Sequence, residues 1–463
     1  MKILLTHAYY LNEDPRELLI MKPYVPLGIL YIAAFLEEHG YPNQVFDATF
    51  SDFNSHCNFL IEQKPDVIGI YTNLMTKVNV LRLISFIKNE PALVQTKIIL
   101  GGPEVRNHAP NFIEFGADYI VLGEGEETML ELVQCLHQKN GNEAKIAGIA
   151  FSKDNAIFYS EERKNIRDIN ALPFPARQKV NLQLYFDAWK NKHGESAVSV
   201  STMRGCPYTC KWCSRAVYGQ SYRRRDPELV AAELKWIENN YDVDTVWFVD
   251  DVFTISHKWL TEFRDALKNQ NATIKYECIT RADRMNEEVL ELLRDSGCYR
   301  VWIGAESGSQ KIIDAMDRRV DVNQVREMIR KSKDYGIQSG TFIMVGYPGE
   351  TESDIIETLH HLKSSDPDLY TITIAYPIKG TPLYTQTEAK FVVKPEWHLG
   401  SDRQIDFKRT YRRQYYDYAI RWIANQMSIH RSIKANRAFT DRIKPTIKSI
   451  AARAAMTFYK FQS

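Results

Sequence analysis

Short apolar runs alternating with amphipathic helices, through two successive stretches, constrain the fold of this chain more than any other feature. In residues 1 to about 140 the runs are KILLT, NQVFDA, DVIGIYT, KIILGG and DYIVLG, with helical stretches such as LGILYIAAFLEEHGY between them. From about 195 to 385 they are AVSVST, TVWFVD, IKYECIT, YRVWIGA, SGTFIMVG and LYTITIAYP. Helical patterns such as KWLTEFRDALKN, EEVLELLRDSG and NQVREMIRKSKDYG fill the gaps. Strands joined through helices pair in parallel, because each connection must cross back over the sheet. The first stretch therefore predicts a doubly wound, Rossmann-like sheet. The second, with six strand–helix units, predicts a partial (β/α)6 barrel. Both architectures bind ligands at the carboxyl ends of their strands. Between them, IAGIAFSKDNAIFYS reads as a hairpin turning at Asp154-Asn155, and DINALPFPARQKV as a Pro-punctuated linker. The division expected is 1–142, 143–190 for hairpin and linker, 191–385, and a mainly helical region 386–463.

The loop after AVSVST carries Cys206, Cys210 and Cys213 in the run MRGCPYTCKWCSRAVYG, spaced Cys-x-x-x-Cys-x-x-Cys. Three thiolates on one short loop can hold three irons of a [4Fe–4S] cluster. The fourth iron is then open to bind and reduce a small molecule. Ferredoxins supply four cysteines instead. Zinc sites pair Cys-x-x-Cys with a second Cys or His pair, and none follows here. The spacing points to a catalytic cluster. Cys57, Cys135, Cys278 and Cys298 are scattered singly and read as packing.

Composition narrows the partners. The 463 residues carry a net charge of +1, so the whole chain gives no polyelectrolyte signal for nucleic acid. From Glu388 onward, however, 16 Lys and Arg face 6 Asp and Glu, a net +10 that leaves the rest at −9. This tail also holds Tyr411, Tyr415, Tyr416 and Tyr418, which favours an anionic or aromatic substrate, a carrier protein or a membrane surface. The N-terminus has no signal-peptide pattern and no apolar run reaches membrane-spanning length. A cytoplasmic enzyme with reduced thiols is expected.

The cysteine spacing after a first barrel strand, with Trp212 before the last Cys, resembles the radical S-adenosylmethionine (radical SAM) superfamily. The resemblance implies that S-adenosylmethionine chelates the open iron and is cleaved to a 5′-deoxyadenosyl radical. It assigns Asp250 and Asp251, in FVDDVFT, to the methionine amino group. Arg281 is suited to hold the methionine carboxylate in bidentate fashion. Glu306, in WIGAESGSQ, is assigned to the ribose hydroxyls, and Gly346, in MVGYPGET, brings backbone near the adenine. The other reading of the aspartates is an N-cap for the following helix.

The first stretch resembles the cobalamin-binding Rossmann-like domain, whose pattern is Asp-x-His-x-x-Gly, then Ser-x-Leu, then Gly-Gly. Here Gly28 precedes Thr72 with 43 residues between, and 26 residues separate Thr72-Asn73-Leu74 from Gly101-Gly102. Pro23 and Val25 stand where the pattern has Asp and His, so no histidine from that position would ligate cobalt. Thr72 and Asn73 are expected to donate to the nucleotide tail, and Gly123, Glu124 and Gly125 to open a helix toward a polar group. Both domains together resemble cobalamin-dependent radical SAM enzymes. The implied activity is methylation of an unactivated carbon of a small molecule through methylcobalamin, with a flavodoxin- or ferredoxin-type reductant. A cyclase or ring-rearranging enzyme using both cofactors without methyl transfer is the alternative. Methylthiotransferases need three further clustered cysteines and are disfavoured.

Overall fold

The computed structural model describes residues 1–139 and 141–461. Strands form at all eleven expected runs. β1 (Ile3–His7), β2 (Gln44–Phe46), β3 (Val67–Tyr71), β4 (Lys97–Gly101) and β5 (Tyr119–Val121) pair in parallel in the order β2-β1-β3-β4-β5. The strand order reverses between β1 and β3, where such sheets open their ligand crevice. Val67 to Ile70 are buried, as a strand covered by helices on both faces must be. One face packs Ile68, Leu83 and Phe112; the other packs Leu5, Ile99 and Leu132.

β6 (Ile149–Lys153) and β7 (Ala156–Tyr159) form the expected hairpin. Asp154 and Asn155 turn it with φ of 51° and 61°. That pair of left-handed residues matches the twist of two-residue hairpins. The hairpin does not stand apart as expected. It adds antiparallel to β5, Val121 opposite Ile149, so the first sheet has seven strands and extends to Tyr159. β5 would otherwise be an exposed edge.

The Pro-punctuated segment is not a loose linker. Arg177 is fully buried, lies 2.6 Å from Glu233 of the helix Pro227–Asn240, and donates to the Ser199 carbonyl at 2.9 Å. Arg225 engages the other oxygen of Glu233. A buried charge persists only when paired in this way. The helix Leu182–His193 lies outside the sequence expectations, although its buried Leu182, Tyr185, Phe186 and Trp189 have helical spacing.

β8 (Ala197–Val200) opens the second sheet. β9 (Met203–Arg204) and β10 (Arg223–Arg224) pair antiparallel and close the stem of the cysteine loop. β11 (Thr245–Phe248), β12 (Lys275–Thr280), β13 (Cys298–Glu306), β14 (Gln338–Val345) and β15 (Leu369–Ile374) complete a six-stranded sheet in chain order. β12 to β15 are parallel. Six strands leave the barrel open where eight would close it. β16 (Phe391–Val393) and β17 (Asp406–Phe407) then form a small ribbon, and the helices Arg413–Lys434 and Thr440–Lys460 pack on one another.

The chain forms two compact units. Met1–Pro207, Ser214–Trp247 and Pro395–Ser401 make one; Tyr208–Cys213, Phe248–Lys394 and Asp402–Ser463 make the other. Among the described residues no helix is long and apolar enough to cross a membrane.

Candidate functional site

In the second unit, charge gathers around one cysteine. Cys210 is buried, and two guanidinium groups donate to its sulfur, Arg281 Nη1 at 3.8 Å and Arg318 Nη1 at 3.7 Å. Arg281 follows β12. Its Nε donates to Asp283 at 2.9 Å, its Nη2 to the Arg318 carbonyl at 2.7 Å, and it lies over the Tyr208 ring. Cys210 and Tyr208 of the cysteine loop, together with Asp283 and the Arg318 carbonyl, thus fix Arg281 in place.

Arg318 was not singled out in the sequence. It sits in the turn after the helix Gln310–Ala315, between Asp317 and Arg319, whose φ values are 53° and 54°. Its Nη2 donates to the Gly304 carbonyl at 3.0 Å and stands 3.8 Å from Glu306 Oε1. A Cβ on Gly304 would fall 2.3 Å from that nitrogen, so only glycine leaves the guanidinium room. Burial opposes the charge on Arg318, but Glu306 and Cys210 outweigh it and raise its pKa. Nothing local separates Arg318 from exposed Arg319. Only the return of this turn to β13 does.

Glu306 ends β13 with φ of 65°, although it is not glycine. Such backbone costs on the order of 1–3 kcal/mol and concentrates at functional sites. Its carboxyl is buried, and desolvation holds its pKa above the ordinary value against the pull of Arg318 and Arg281. Asp250 and Asp251 follow β11. Asp250 is buried. Asp251 borders open space yet is hemmed in, and desolvation followed by repulsion from Asp250 raises its pKa. Neither caps the next helix, His257–Asn269. Ser256 does, accepting the Trp259 N–H at 3.2 Å. The capping explanation for the aspartates is thereby removed.

The segment 208–213 is anchored within this unit. Thr209 donates to Asp317 at 2.6 Å, the Lys211 N–H to the Met316 carbonyl at 3.1 Å, and Trp212 packs against a cluster containing Ile312 and Tyr347. Gly346, just past β14, has φ of 78° and is held at both its N–H and its carbonyl. Its N–H donates to the Glu350 carboxylate at 2.5 Å, and its carbonyl accepts from Arg409 Nε at 3.0 Å. Arg409 Nη2 also donates to the Ala375 carbonyl just past β15, at 2.6 Å. Asp402 accepts the Lys379 N–H at 2.7 Å. The region beyond β15, which carries no recognisable motif, thus pins the loops at the ends of β14 and β15. Glu350 is fully buried, and burial pushes its carboxyl up to about 8.

All seven cysteines are thiols; Cys206 is half-buried and Cys213 exposed. Among the described residues no three Cys, His, Asp or Glu side chains stand together as a ready metal-ligand set. The donor chemistry fits an iron–sulfur cluster: three thiols on one loop, with buried N–H donors aimed at the sulfur of Cys210.

The first unit presents a different arrangement. Thr72 follows β3 and is buried, and its N–H donates to the Gly101 carbonyl at 2.7 Å. Gly102 has φ of 105°, and a Cβ there would lie 2.5 Å from the Thr72 carbonyl oxygen. The ends of β3 and β4 can be this close only because residue 102 is glycine. Beside Gly101 the nearest atom to a Cβ is 3.9 Å away, which leaves open backbone at the strand end. That exposed backbone suits a bulky ligand resting on it. The Asn73 side chain accepts the N–H groups of Met75 and Thr76 and so shapes the turn carrying Leu74. Pro23 and Val25 are buried, and the Pro23 carbonyl accepts from Trp189. His7 bonds Asp47 at 3.0 Å.

Glu124 is committed to protein groups. It pairs with Arg204 at 2.8 Å and Arg223 at 2.6 Å, and accepts the Ile166 N–H. Arg204 also reaches Glu126, in the first turn of the helix Glu126–Gln138, whose N-cap is Gly125. Gly123 precedes this turn with φ of 103°. Since Arg204 and Arg223 belong to β9 and β10, the stem of the cysteine loop is bolted to this helix start. Acidic residues already occupy the positive end of the helix dipole.

Two family models match the chain, the B12 binding domain over residues 21–133 and the Radical SAM superfamily over residues 200–362. The chain is a radical SAM enzyme with a B12-binding domain. Its cofactors are a [4Fe–4S] cluster, S-adenosylmethionine and cobalamin. The chain is 28% identical over 369 residues to an uncharacterized methyltransferase of Pyrococcus horikoshii, covering 78% of this chain and 77% of that protein. It is 26% identical over 407 residues to the anaerobic magnesium-protoporphyrin IX monomethyl ester cyclase of Cereibacter sphaeroides, covering 83% of this chain and 63% of that protein. Its fold is similar to that of OxsB, a cobalamin-dependent S-adenosylmethionine radical enzyme solved with aqua-cobalamin bound. The TM-score is 0.76 at 16% identity, over 99% of this chain and 72% of that one.

Proposed function

We propose that this radical SAM enzyme is a C-methyltransferase acting on an unactivated carbon of a small molecule. The observation that carries the reading is the joining of a B12-binding domain to a radical SAM domain in one chain whose Pyrococcus relative bears a methyltransferase name. When bound, the cluster supplies the electron that cleaves S-adenosylmethionine, and cobalamin carries the methyl group.

In this reading Cys206, Cys210 and Cys213 hold the cluster. Arg281 and Arg318 present donors to it and keep solvent from Cys210. The three nitrogens of Arg281 are engaged by Asp283, Cys210 and the Arg318 carbonyl, so it takes this role in place of the bidentate hold on the methionine carboxylate expected of it. Asp250 and Asp251 meet the methionine ammonium, Glu306 takes the ribose hydroxyls, and the Gly346 backbone borders the adenine. Trp212 walls the pocket. Thr72, Asn73, Leu74, Gly101 and Gly102 form the cobalamin rest, and no histidine from position 25 reaches cobalt. Gly123 and Gly125 shape the neighbouring turn. Glu124 supports this site through Arg204 and Arg223. The four-part division at 142, 190 and 385 belongs to the same reading, with β6 and β7 completing the first sheet. The substrate is anionic or aromatic, the reductant a flavodoxin or ferredoxin, and the compartment the cytoplasm.

The Cereibacter cyclase is the specific observation favouring a second reading, ring formation without methyl transfer. Products separate the two. Anaerobically reconstituted enzyme is incubated with S-adenosylmethionine, reductant and candidate substrates, and nucleoside products are measured by mass spectrometry. S-adenosylhomocysteine together with 5′-deoxyadenosine supports methylation. 5′-deoxyadenosine alone, with substrate consumed, supports cyclisation and removes the methyltransferase reading.

A further inference from the structure

The helix Thr440–Lys460 has two apolar faces, and only one is used. Ser449, Ala452 and Met456 are buried on the side toward the helix Arg413–Lys434. Ser449 Oγ accepts from Gln426 at 2.9 Å, Tyr459 stacks on Tyr418, and Arg453 and Lys460 both pair with Glu352. These contacts fix the rotation of the helix about its axis.

The opposite face is thereby held outward. Phe439, Ile443, Ile447, Ile450, Phe458 and Phe461 recur at intervals of four and three, with an eight-residue gap bridged by Ala454. That spacing places them in one stripe along a rod roughly 30 Å long. Their fractional exposures run from 45% to 80%. Scattered exposed apolar residues are ordinary, but a continuous stripe of Ile and Phe marks a contact surface.

Charge selects the occupant. Lys444 and Lys448 are exposed on one flank of the stripe and half-buried Arg442 lies on the other. Asp441 is the one acidic residue between Arg437 and Phe461. A second copy pairing through this stripe would bring like charges together, whereas an anionic lipid surface would meet them with opposite charge. A basic helix with a bulky apolar stripe and insufficient length of apolar residues to span is the form that lies in a bilayer interface.

We propose that Thr440–Lys460 is an in-plane anchor that docks this enzyme on an anionic membrane surface, Ile and Phe entering the acyl boundary and lysines meeting the headgroups. The test is vesicle flotation of the full-length holoenzyme. Vesicles of phosphatidylcholine are compared with vesicles containing about 30 mol% phosphatidylglycerol. The wild type is expected to float with the anionic vesicles and to be released by high salt. Ile447→Asp combined with Ile450→Asp should weaken partitioning at least about tenfold. Lys444→Glu and Lys448→Glu should each weaken it about fivefold or more. Unchanged far-UV circular dichroism and unchanged iron and corrinoid content establish that each variant is folded. Failure of the wild type to float overturns the proposal, as does flotation of the double Asp variant at the wild-type level. A concentration-dependent dimer in solution that the double Asp variant abolishes would assign the stripe to a second copy and also overturn it.

Discussion

In the proposed reading, the strand ends of the two sheets would hold their cofactors in opposite ways. In the first unit, the ends of β3 and β4 offer mostly backbone: the Thr72 and Gly101 peptides bonded to each other, Gly102 admitting the close approach, and a turn shaped by Asn73. In the second unit, the corresponding ends offer buried charge: Arg281 and Arg318 at Cys210, Glu306 in a strained backbone, and Asp250. Shape suits a bulky neutral face, whereas preorganised charges in a low dielectric suit a charged, redox-active group. The two regions should therefore break differently when altered.

The largest effect is expected from Cys210→Ser. Iron should fall from about four per chain to a trace and 5′-deoxyadenosine formation should vanish, with corrinoid retained. Loss of corrinoid as well would mean the two regions are not separable. Next comes Arg318→Met, which leaves Glu306 buried beside one fewer cation. Unfolding free energy should drop by about 3–5 kcal/mol, the usual result of removing one partner of a buried pair. Arg318→Lys should recover only part of it, because lysine lacks the fork that reaches Cys210 and Gly304 together. Wild-type stability in Arg318→Lys would show that charge alone matters there.

Gly102→Ala tests the shape-built side. Its Cβ would lie 2.5 Å from the Thr72 oxygen in a left-handed backbone, so about 1–3 kcal/mol of strain is expected. Corrinoid content should fall while iron stays unchanged, and a fall in iron instead would reverse the assignment of the two regions. Arg409→Ala leaves the Gly346 and Ala375 carbonyls without their shared donor. A stability loss of about 1–3 kcal/mol is expected, along with a raised KM for S-adenosylmethionine, since the loop at the end of β14 loses its clamp.

A further effect concerns pH. The Glu350 carboxyl is raised to about 8 by burial. A raised folded-state pKa means the folded form binds the proton more tightly, so this group's contribution is complete below the ordinary glutamate range. It is lost as pH climbs toward and through about 8. Glu350→Gln should flatten that decline in denaturant melts measured across this window. An undiminished decline would place its origin in another group.

The same contrast explains what was legible in the sequence. The strands and the cysteine loop could be read because hydrophobic period and thiol spacing are local signals. Thr72, Gly101 and Gly102 could be placed at strand ends for the same reason. Arg318 and Arg409 could not, because each acts by returning through space to a strand that is remote in sequence. The glycines flanking Glu124 suggest an open, ligand-facing turn. The Glu124 partners Arg204 and Arg223 lie some 80 and 99 residues away. The proline-rich segment looked like a linker because prolines are visible in sequence, whereas the Arg177–Glu233 pair that seals it is not. The aspartate pair stood open between capping and binding until Ser256 proved to be the cap.

The central claim is that one chain holds both cofactors. Anaerobic purification with cobalamin supplied, followed by quantification of iron, sulfide and corrinoid per chain, tests it most directly. The account predicts about four irons, about four sulfides and one corrinoid, with an optical spectrum lacking a histidine-ligated cobalt signature. Four irons with no corrinoid under saturating supply would contradict it.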